Sequence, residues 1–203
     1  MRDPDNIRAV NSLGVSFIGL IFYRKSSRFV PMTNPPLHEP TNAKLVGVFV
    51  DEPPQVISAN VNHFNLDYVQ LHGDESPEYI DDLRSAINPD IGIIKAISVS
   101  SPEDIAKAEK YQGHADMLLF DTKCTSKGGS GVQFDWSVLN AYNGSLPFLL
   151  SGGIGPDDAD RVAAFHHSQC VGIDLNSKFE IEPALKDVEK IKTFISEIKN
   201  SNC

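Results

Sequence analysis

Three segments of this 203-residue sequence gather residues able to hold an anion: Gly128-Gly129-Ser130-Gly131, Ser151-Gly152-Gly153-Ile154-Gly155 and Asp174-Leu175-Asn176-Ser177. Glycine lets a backbone approach a bound group and offer several N–H donors, and a helix starting behind the loop adds partial positive charge. Taken alone, each segment serves equally well as a tight turn. Together they follow the last three apolar runs of the chain and read as a phosphate cradle, with Gly129, Gly131, Gly152, Gly153, Asn176 and Ser177 as candidate phosphate-binding residues. Polar residues also follow the earlier apolar runs, at Ser26 to Arg28, Asp51, His72-Gly73, Ser98 and Asp121.

The runs that must position these residues are FIGLIF from Phe17, LVGVFV from Leu45, YVQL from Tyr68, IIKAI from Ile93, MLLF from Met117, PFLL from Pro147 and CVGIDL from Cys170. They recur roughly every 25 residues, about the length of one strand-loop-helix unit. Between them lie helix-start signals with proline near the first position: Pro53-Pro54, Ser76-Pro77-Glu78, Ser101-Pro102-Glu103 and Gly155-Pro156-Asp157. The runs are continuously apolar, as strands of a parallel sheet buried on both faces should be. Such a βα series forms either a doubly wound open sheet or a (β/α)8 TIM barrel. Polar signals after nearly every strand favour the barrel, which gathers its site at the C-terminal ends of all its strands, whereas an open sheet concentrates it at one switch point. Only seven strands are legible, and the chain opens on a helix with Asp3 as N-cap, Pro4 at its first position and an apolar face of Ile7, Val10 and Leu13 ending at Gly14. The expected architecture is therefore one α/β TIM-barrel domain over residues 1–203 with the first strand missing.

Composition sets the class of partner. The formal charge is −9, from 18 Lys+Arg and 27 Asp+Glu, with no basic cluster. This excludes the nucleic-acid and anionic-membrane surfaces that need clustered positive charge. A single core at this length buries roughly 70% of the unfolded chain's surface, so folding demands no disulfide, metal or cofactor. The three cysteines, Cys124, Cys170 and Cys203, are far apart and fit a reducing compartment, and no apolar run reaches the ~20 residues of a membrane span. A cytoplasmic location is expected. His166-His167 falls at an expected helix end, where adjacent positions do not share a helix face, so no metal site is expected there.

The segments Phe17 to Tyr23 with Ser26-Ser27-Arg28-Phe29-Val30, Val46 to Val50, Val69-Gln70-Leu71-His72-Gly73-Asp74-Glu75, Phe120-Asp121-Thr122-Lys123 with the Gly128 loop, Leu150 to Ile154, and Gly172 to Ser177 through Lys186-Asp187 resemble the phosphoribosylanthranilate isomerases of tryptophan biosynthesis. The resemblance spans essentially the whole chain. It implies an Amadori rearrangement of an aminoaldose to an aminoketose phosphate. That chemistry needs an acid for the ribose ring oxygen, a base for the C2′ proton, and anchors for phosphate and carboxylate, with no metal or nucleotide cofactor. On the resemblance, Asp121 is the general acid and Arg28 the clamp for the anthranilate carboxylate, a task suited to a guanidinium fork. Asp174 contacts the ribose or holds its own loop, and His72 is a ligand contact or a hydrogen-bonded structural histidine. An acid working near neutrality needs burial to raise its pKa.

The family opens with a strand ending in Lys-x-Cys-Gly whose cysteine is the general base, and the match begins just after it. Together with the strand count, this predicts that the chain lacks the first strand and the base, that its activity is impaired, and that its exposed strand edges favour a homodimer. Cys124, in the loop after the sixth barrel strand, is the candidate for a substitute base, against which stands that a different strand sets its position. Ser27 and Ala184 stand where the family has Pro and Gly, and Lys178-Phe179 replaces a Gly-containing pair. The competing reading is an inactive phosphosugar-binding barrel. A sugar-phosphate epimerase would need His/Asp clusters, and an indole-glycerol phosphate synthase would need lysines at several strand ends; Lys95 alone makes neither pattern.

Overall fold

The prolines that mark helix starts in the sequence do so in the computed structural model, which describes residues 1–36, 42–122 and 135–201. Helices α1 (Pro4–Asn11), α2 (Pro54–Phe64), α3 (Pro77–Ala86) and α4 (Pro102–Ile105) each begin on proline, as does the 3-10 turn Pro156–Asp158 ahead of α5 (Ala159–Ala164). Proline loses nothing there, because the first N–H groups of a helix have no partner within it. Asp3 Oδ1 caps α1 by accepting from the Asn6 N–H at 2.7 Å, and Ser76 Oγ caps α3 by accepting from Tyr79 N–H at 3.3 Å.

Seven strands form one parallel sheet in chain order: β1 (Phe17–Ile21), β2 (Lys44–Phe49), β3 (Tyr68–Leu71), β4 (Gly92–Val99), β5 (Met117–Thr122), β6 (Phe148–Ser151) and β7 (Cys170–Ile173). The apolar runs located all seven to within about two residues. The sheet curls until its two edge strands, through Ile18 and Gly19 of β1 and Val171 and Ile173 of β7, line one cavity. The fold is thus a TIM-type barrel open along a slot between β7 and β1.

Side chains alternate across the sheet with a period of two. Val69 and Leu71 of β3, Leu118 and Phe120 of β5, and Phe148 and Leu150 of β6 belong to the large core that includes residues from the helices, among them Ile57, Ile80 and Phe194. Val46, Ile94, Ala96, Leu119 and Leu149 form a smaller second cluster on the inner face of the sheet. Continuing the same alternation toward the strands' C-terminal ends turns Gln70, Asp121 and Ser151 inward. Register pairs Ser98 with Asp121 and Asp121 with Ser151, so these lie in one tier above the apolar interior.

The later connections depart from expectation. Instead of full amphipathic helices, α4 continues as the 3-10 turn Ala106–Tyr111, and Trp136–Ala141 is another 3-10 turn. So short a segment suffices there, because Trp136 and Leu139 are buried in the core with Val138 packed against it, while the Arg161 guanidinium stacks 3.6 Å from the Trp136 ring centroid. His166-His167 does not end a helix. Helix α5 stops at Ala164, where Phe165 turns extended to pack on Trp136, and His167 bridges Tyr142 O and Gln169 N in the following loop. After β7 the chain forms an unforeseen antiparallel hairpin, β8 (Glu180–Glu182) and β9 (Leu185–Lys186), before the final helix α6 (Val188–Ser201). Its turn runs through Ala184 at φ 73°, a left-handed conformation that costs a residue with a Cβ roughly 1–2 kcal/mol.

Candidate active site at the barrel mouth

A cavity of about 600 Å³ opens at the C-terminal ends of the strands, its mouth carrying Arg28, His72, Asp174 and Asn176. Below, it continues as an apolar slot between β1 and β7 toward Val10 of α1, Leu13 just after that helix, and Ile195 and Ile198 of α6. This volume lies within the range of pockets that enclose small organic ligands.

Two loops face each other across the mouth. Beyond β3, the His72 N–H bonds to Phe49 O at 2.8 Å, extending the sheet by one residue. The Gln70 amide donates to His72 Nδ1 at 3.0 Å. With Nδ1 accepting, the neutral ring carries its proton on Nε2, and that atom lies 3.6 Å from Asp121 Oδ2. His72 lines the cavity, and Asp121, 17% exposed, lies against it from behind. Across β6, Ser151 Oγ donates to Asp174 Oδ2 at 2.8 Å, and the Asp174 N–H bonds Leu150 O, so the last loop is pinned to its neighbour.

Beneath the His72 loop lies a buried ion pair that sequence reasoning did not mark as functional. Lys95 points to the helix side of β4, where its Nζ donates to Glu75 Oε2 at 3.0 Å, Gly73 O at 2.7 Å, Leu71 O at 3.2 Å and Ala96 O at 3.0 Å. Glu75 in turn accepts from the N–H groups of Asp51 and Gly73. Burial pulls the Lys95 ammonium below its ordinary pKa, with Glu75 opposing. Gly73 is required here, since a Cβ would come within 2.2 Å of Asp51 Oδ1 and 2.9 Å of Asp51 N.

On the opposite side of the mouth, Arg28 pairs with Glu180. Its Nε is 2.9 Å from both carboxylate oxygens and its Nη2 2.5 Å from Oε2. Lys186 Nζ also reaches Glu180 at 3.3 Å, and donates to Asn176 O at 3.0 Å and Asn176 Oδ1 at 2.9 Å. Asn6 of α1 brackets the Lys186 backbone with two bonds of 2.8 Å. Burial alone would raise the Glu180 pKa, but the Arg28 and Lys186 cations outweigh it and hold the carboxyl below its usual range. Burial draws Lys186 below its usual pKa.

The structure therefore brings Arg28, His72, Asp121, Asp174 and Asn176 around one mouth. Gly152 and Gly153 both take positive φ, 97° and 68°, directly after β6, and Ser177 starts the 3-10 turn Ser177–Phe179; none of the three lines the cavity. Gly129 and Gly131, with the rest of the Gly128 loop, and Cys124 lie outside the described residues. Glu180, Lys186, Glu75 and Lys95 went unmarked in the sequence. For Glu180 and Lys186 the available signal was the Lys186-Asp187 match together with the departure at Ala184.

The family model described as N-(5'phosphoribosyl)anthranilate (PRA) isomerase matches residues 1–197. The N-(5'-phosphoribosyl)anthranilate isomerase of Parabacteroides distasonis is 46% identical over 203 residues, covering 98% of this chain and 90% of the relative. Among solved structures, phosphoribosyl anthranilate isomerase from Thermotoga maritima is similar with TM-score 0.83 at 29% identity, over 98% of this chain and 96% of that one. A phosphoribosyl anthranilate isomerase in complex with reduced 1-(o-carboxyphenylamino)-1-deoxyribulose 5-phosphate gives TM-score 0.80 at 27% identity, over 98% and 95% of the two chains.

Two outcomes test the charges that hold this mouth. Lys95→Met leaves Glu75 buried without its cation and is expected to cost about 3–5 kcal/mol in urea unfolding, much of it recovered in the Lys95→Met/Glu75→Gln double variant. Because the Glu180 carboxyl is held below its ordinary value of 4.5, the stability it contributes is complete above about that pH and is lost as pH falls through its lower folded-state value. Thermal unfolding across pH should thus show a shallower acid decline for Glu180→Gln than for the parent. Parallel profiles would remove Glu180 from that role.

Proposed function

The chain belongs to the N-(5'-phosphoribosyl)anthranilate isomerase family, and from this we propose that its barrel mouth binds a phosphoribosylated anthranilate and serves its rearrangement to the open-chain aminoketose phosphate. The observation that carries this reading is the convergence of His72, Arg28, Asp174 and Asn176 on a single cavity, with Asp121 placed 3.6 Å behind His72.

Each group then has a task set by its chemistry. Asp121 donates a proton to the ribose ring oxygen, opening the ring to a Schiff base. His72, with Nε2 turned toward Asp121, orients that carboxyl. Arg28 receives the anthranilate carboxylate on its guanidinium, Asp174 meets the ribose hydroxyls, and the phosphate is taken, as the resemblance implies, by Asn176 at the cavity and by the Ser177 and Gly152-Gly153 backbones beyond its lining, with the Gly129 and Gly131 loop. Removal of the C2′ proton needs a base, and the family resemblance puts it on a cysteine of a strand ahead of residue 1. The open edges of β1 and β7 leave a slot where such a strand would complete the barrel. Residues 1–203 by themselves are then a binding-competent but slow enzyme, since one positioned base contributes on the order of 10²–10⁴-fold.

A fluorescence assay of phosphoribosylanthranilate turnover tests this, run on residues 1–203 and on a form extended by a Lys-x-Cys-Gly strand. Turnover that is weak in the first and restored in the second supports the assignment. Full activity in the short form removes the cysteine from the mechanism, and activity in neither leaves an inactive phosphosugar-binding barrel. In the form that turns over, Asp121→Asn is expected to lower kcat by about 10²–10⁴-fold, with binding of the reduced product analogue changed only a few-fold. An unchanged kcat would exclude Asp121 as the acid.

A further inference from the structure

A guanidinium presents its five N–H donors in one plane, as a side-on pair formed by Nε and one terminal nitrogen and an end-on pair formed by the two terminal nitrogens. In Arg28 the side-on pair is engaged by Glu180. The edge carrying Nη1 takes no part in these bonds, and the Arg28 side chain, 23% exposed, lines the cavity. Glu180 itself is only 4% exposed. Besides Arg28 it accepts from the Ala184 N–H at 3.2 Å and from Lys186 Nζ at 3.3 Å, so its carboxylate is fixed by its own hairpin turn. Glu180 is shared by two cations, but Lys186, 9% exposed and acted on by Asp174 as well, directs its donors to Asn176 and Glu180, so the more exposed Arg28 is the cation with donors left for a ligand.

We propose that Glu180 is a positioning and specificity-determining residue. It aims the end-on edge of Arg28 into the cavity and, through Lys186, ties that edge to the Asn176 loop, so that the site selects ligands bearing a carboxylate at a set distance from their phosphate. This rests on the reading that Arg28 receives the substrate carboxylate. Without Glu180 the arginine remains charged but loses its fixed direction, and an unaligned fork makes weaker contacts with a planar carboxylate. The strained turn at Ala184 fits the same role, because the Ala184 N–H closes onto the carboxylate that aims Arg28.

The test compares two ligands on residues 1–203: reduced 1-(o-carboxyphenylamino)-1-deoxyribulose 5-phosphate, and its phenylamino counterpart lacking the carboxyl group. Binding is read by titration calorimetry, and folding of every variant by circular dichroism and thermal unfolding. The parent is expected to prefer the carboxylated ligand by about 10- to 100-fold, the usual worth of a charged hydrogen-bonded contact. Glu180→Ala should reduce this preference to below about 3-fold. Glu180→Gln, a near-isostere that keeps an acceptor for Nε–H, should fall between and decides the matter if the alanine variant does not fold. A purely structural role would weaken both ligands equally and leave the ratio intact. An unchanged ratio in both Glu180 variants, with the ratio lost in Arg28→Ala, overturns the proposal while sparing the reading of Arg28. Retention of the preference in Arg28→Ala overturns that reading, and this proposal with it.

Discussion

The architecture depends on a parallel sheet curled so far that both its edges face one cavity, and this constraint divides every strand into two registers. Residues pointing outward must meet helices and are apolar almost throughout. Those pointing inward gather into one apolar cluster of Val46, Ile94, Ala96, Leu119 and Leu149, most of which also forms a wall of the cavity. Polar groups are admitted only above that layer, at the strand C-terminal ends. Gln70, Asp121 and Ser151 sit there because they continue the inward register by two residues, and parallel pairing aligns Asp121 with Ser98 on one side and Ser151 on the other.

A site on strand ends and loops needs its loops held, and here two buried carboxylates do so from opposite sides. Glu75 collects the Lys95 ammonium and two backbone N–H groups beneath the His72 loop. Glu180 collects Arg28, Lys186 and the Ala184 N–H beside the last loop. Neither carboxylate lines the cavity. A buried charge persists only when its partners satisfy it, so each anion fixes the positions of several donors together. The mouth is in this way framed by two buried, hydrogen-bonded charge clusters.

Much of this was legible in the residues. Proline at the first helical position, β-branched and aromatic runs at regular spacing, and glycines after the last strands are local signals whose physics does not depend on the rest of the molecule. They located all seven strands, the five proline-led starts and the candidate residues Arg28, His72, Asp121, Asp174 and Asn176, and the family motifs suggested a role for each. What escaped were features decided by distance in space. The hairpin Glu180–Glu182 with Leu185–Lys186 has too few residues to show a period, and α5 ends at Ala164 only because Phe165 is drawn onto Trp136. Lys95 reads as an interruption of an apolar run until Glu75, a loop residue 20 positions earlier, is seen beside it.

The sequence by itself determined the order of the seven strands and of the proline-led helix starts, the acidic balance and the residue types available at each strand end, because all of these follow from local side-chain chemistry. Tertiary structure alone decided which of those residues meet: that Arg28 lies beside Glu180 across 152 positions of chain, that His72 turns its Nε2 toward Asp121, and that β1 and β7 face each other across a slot. Such pairings are set by the curl of the sheet and by the requirement that each buried charge find its counter-charge. Both are properties of the folded volume, to which no local stretch of sequence has access.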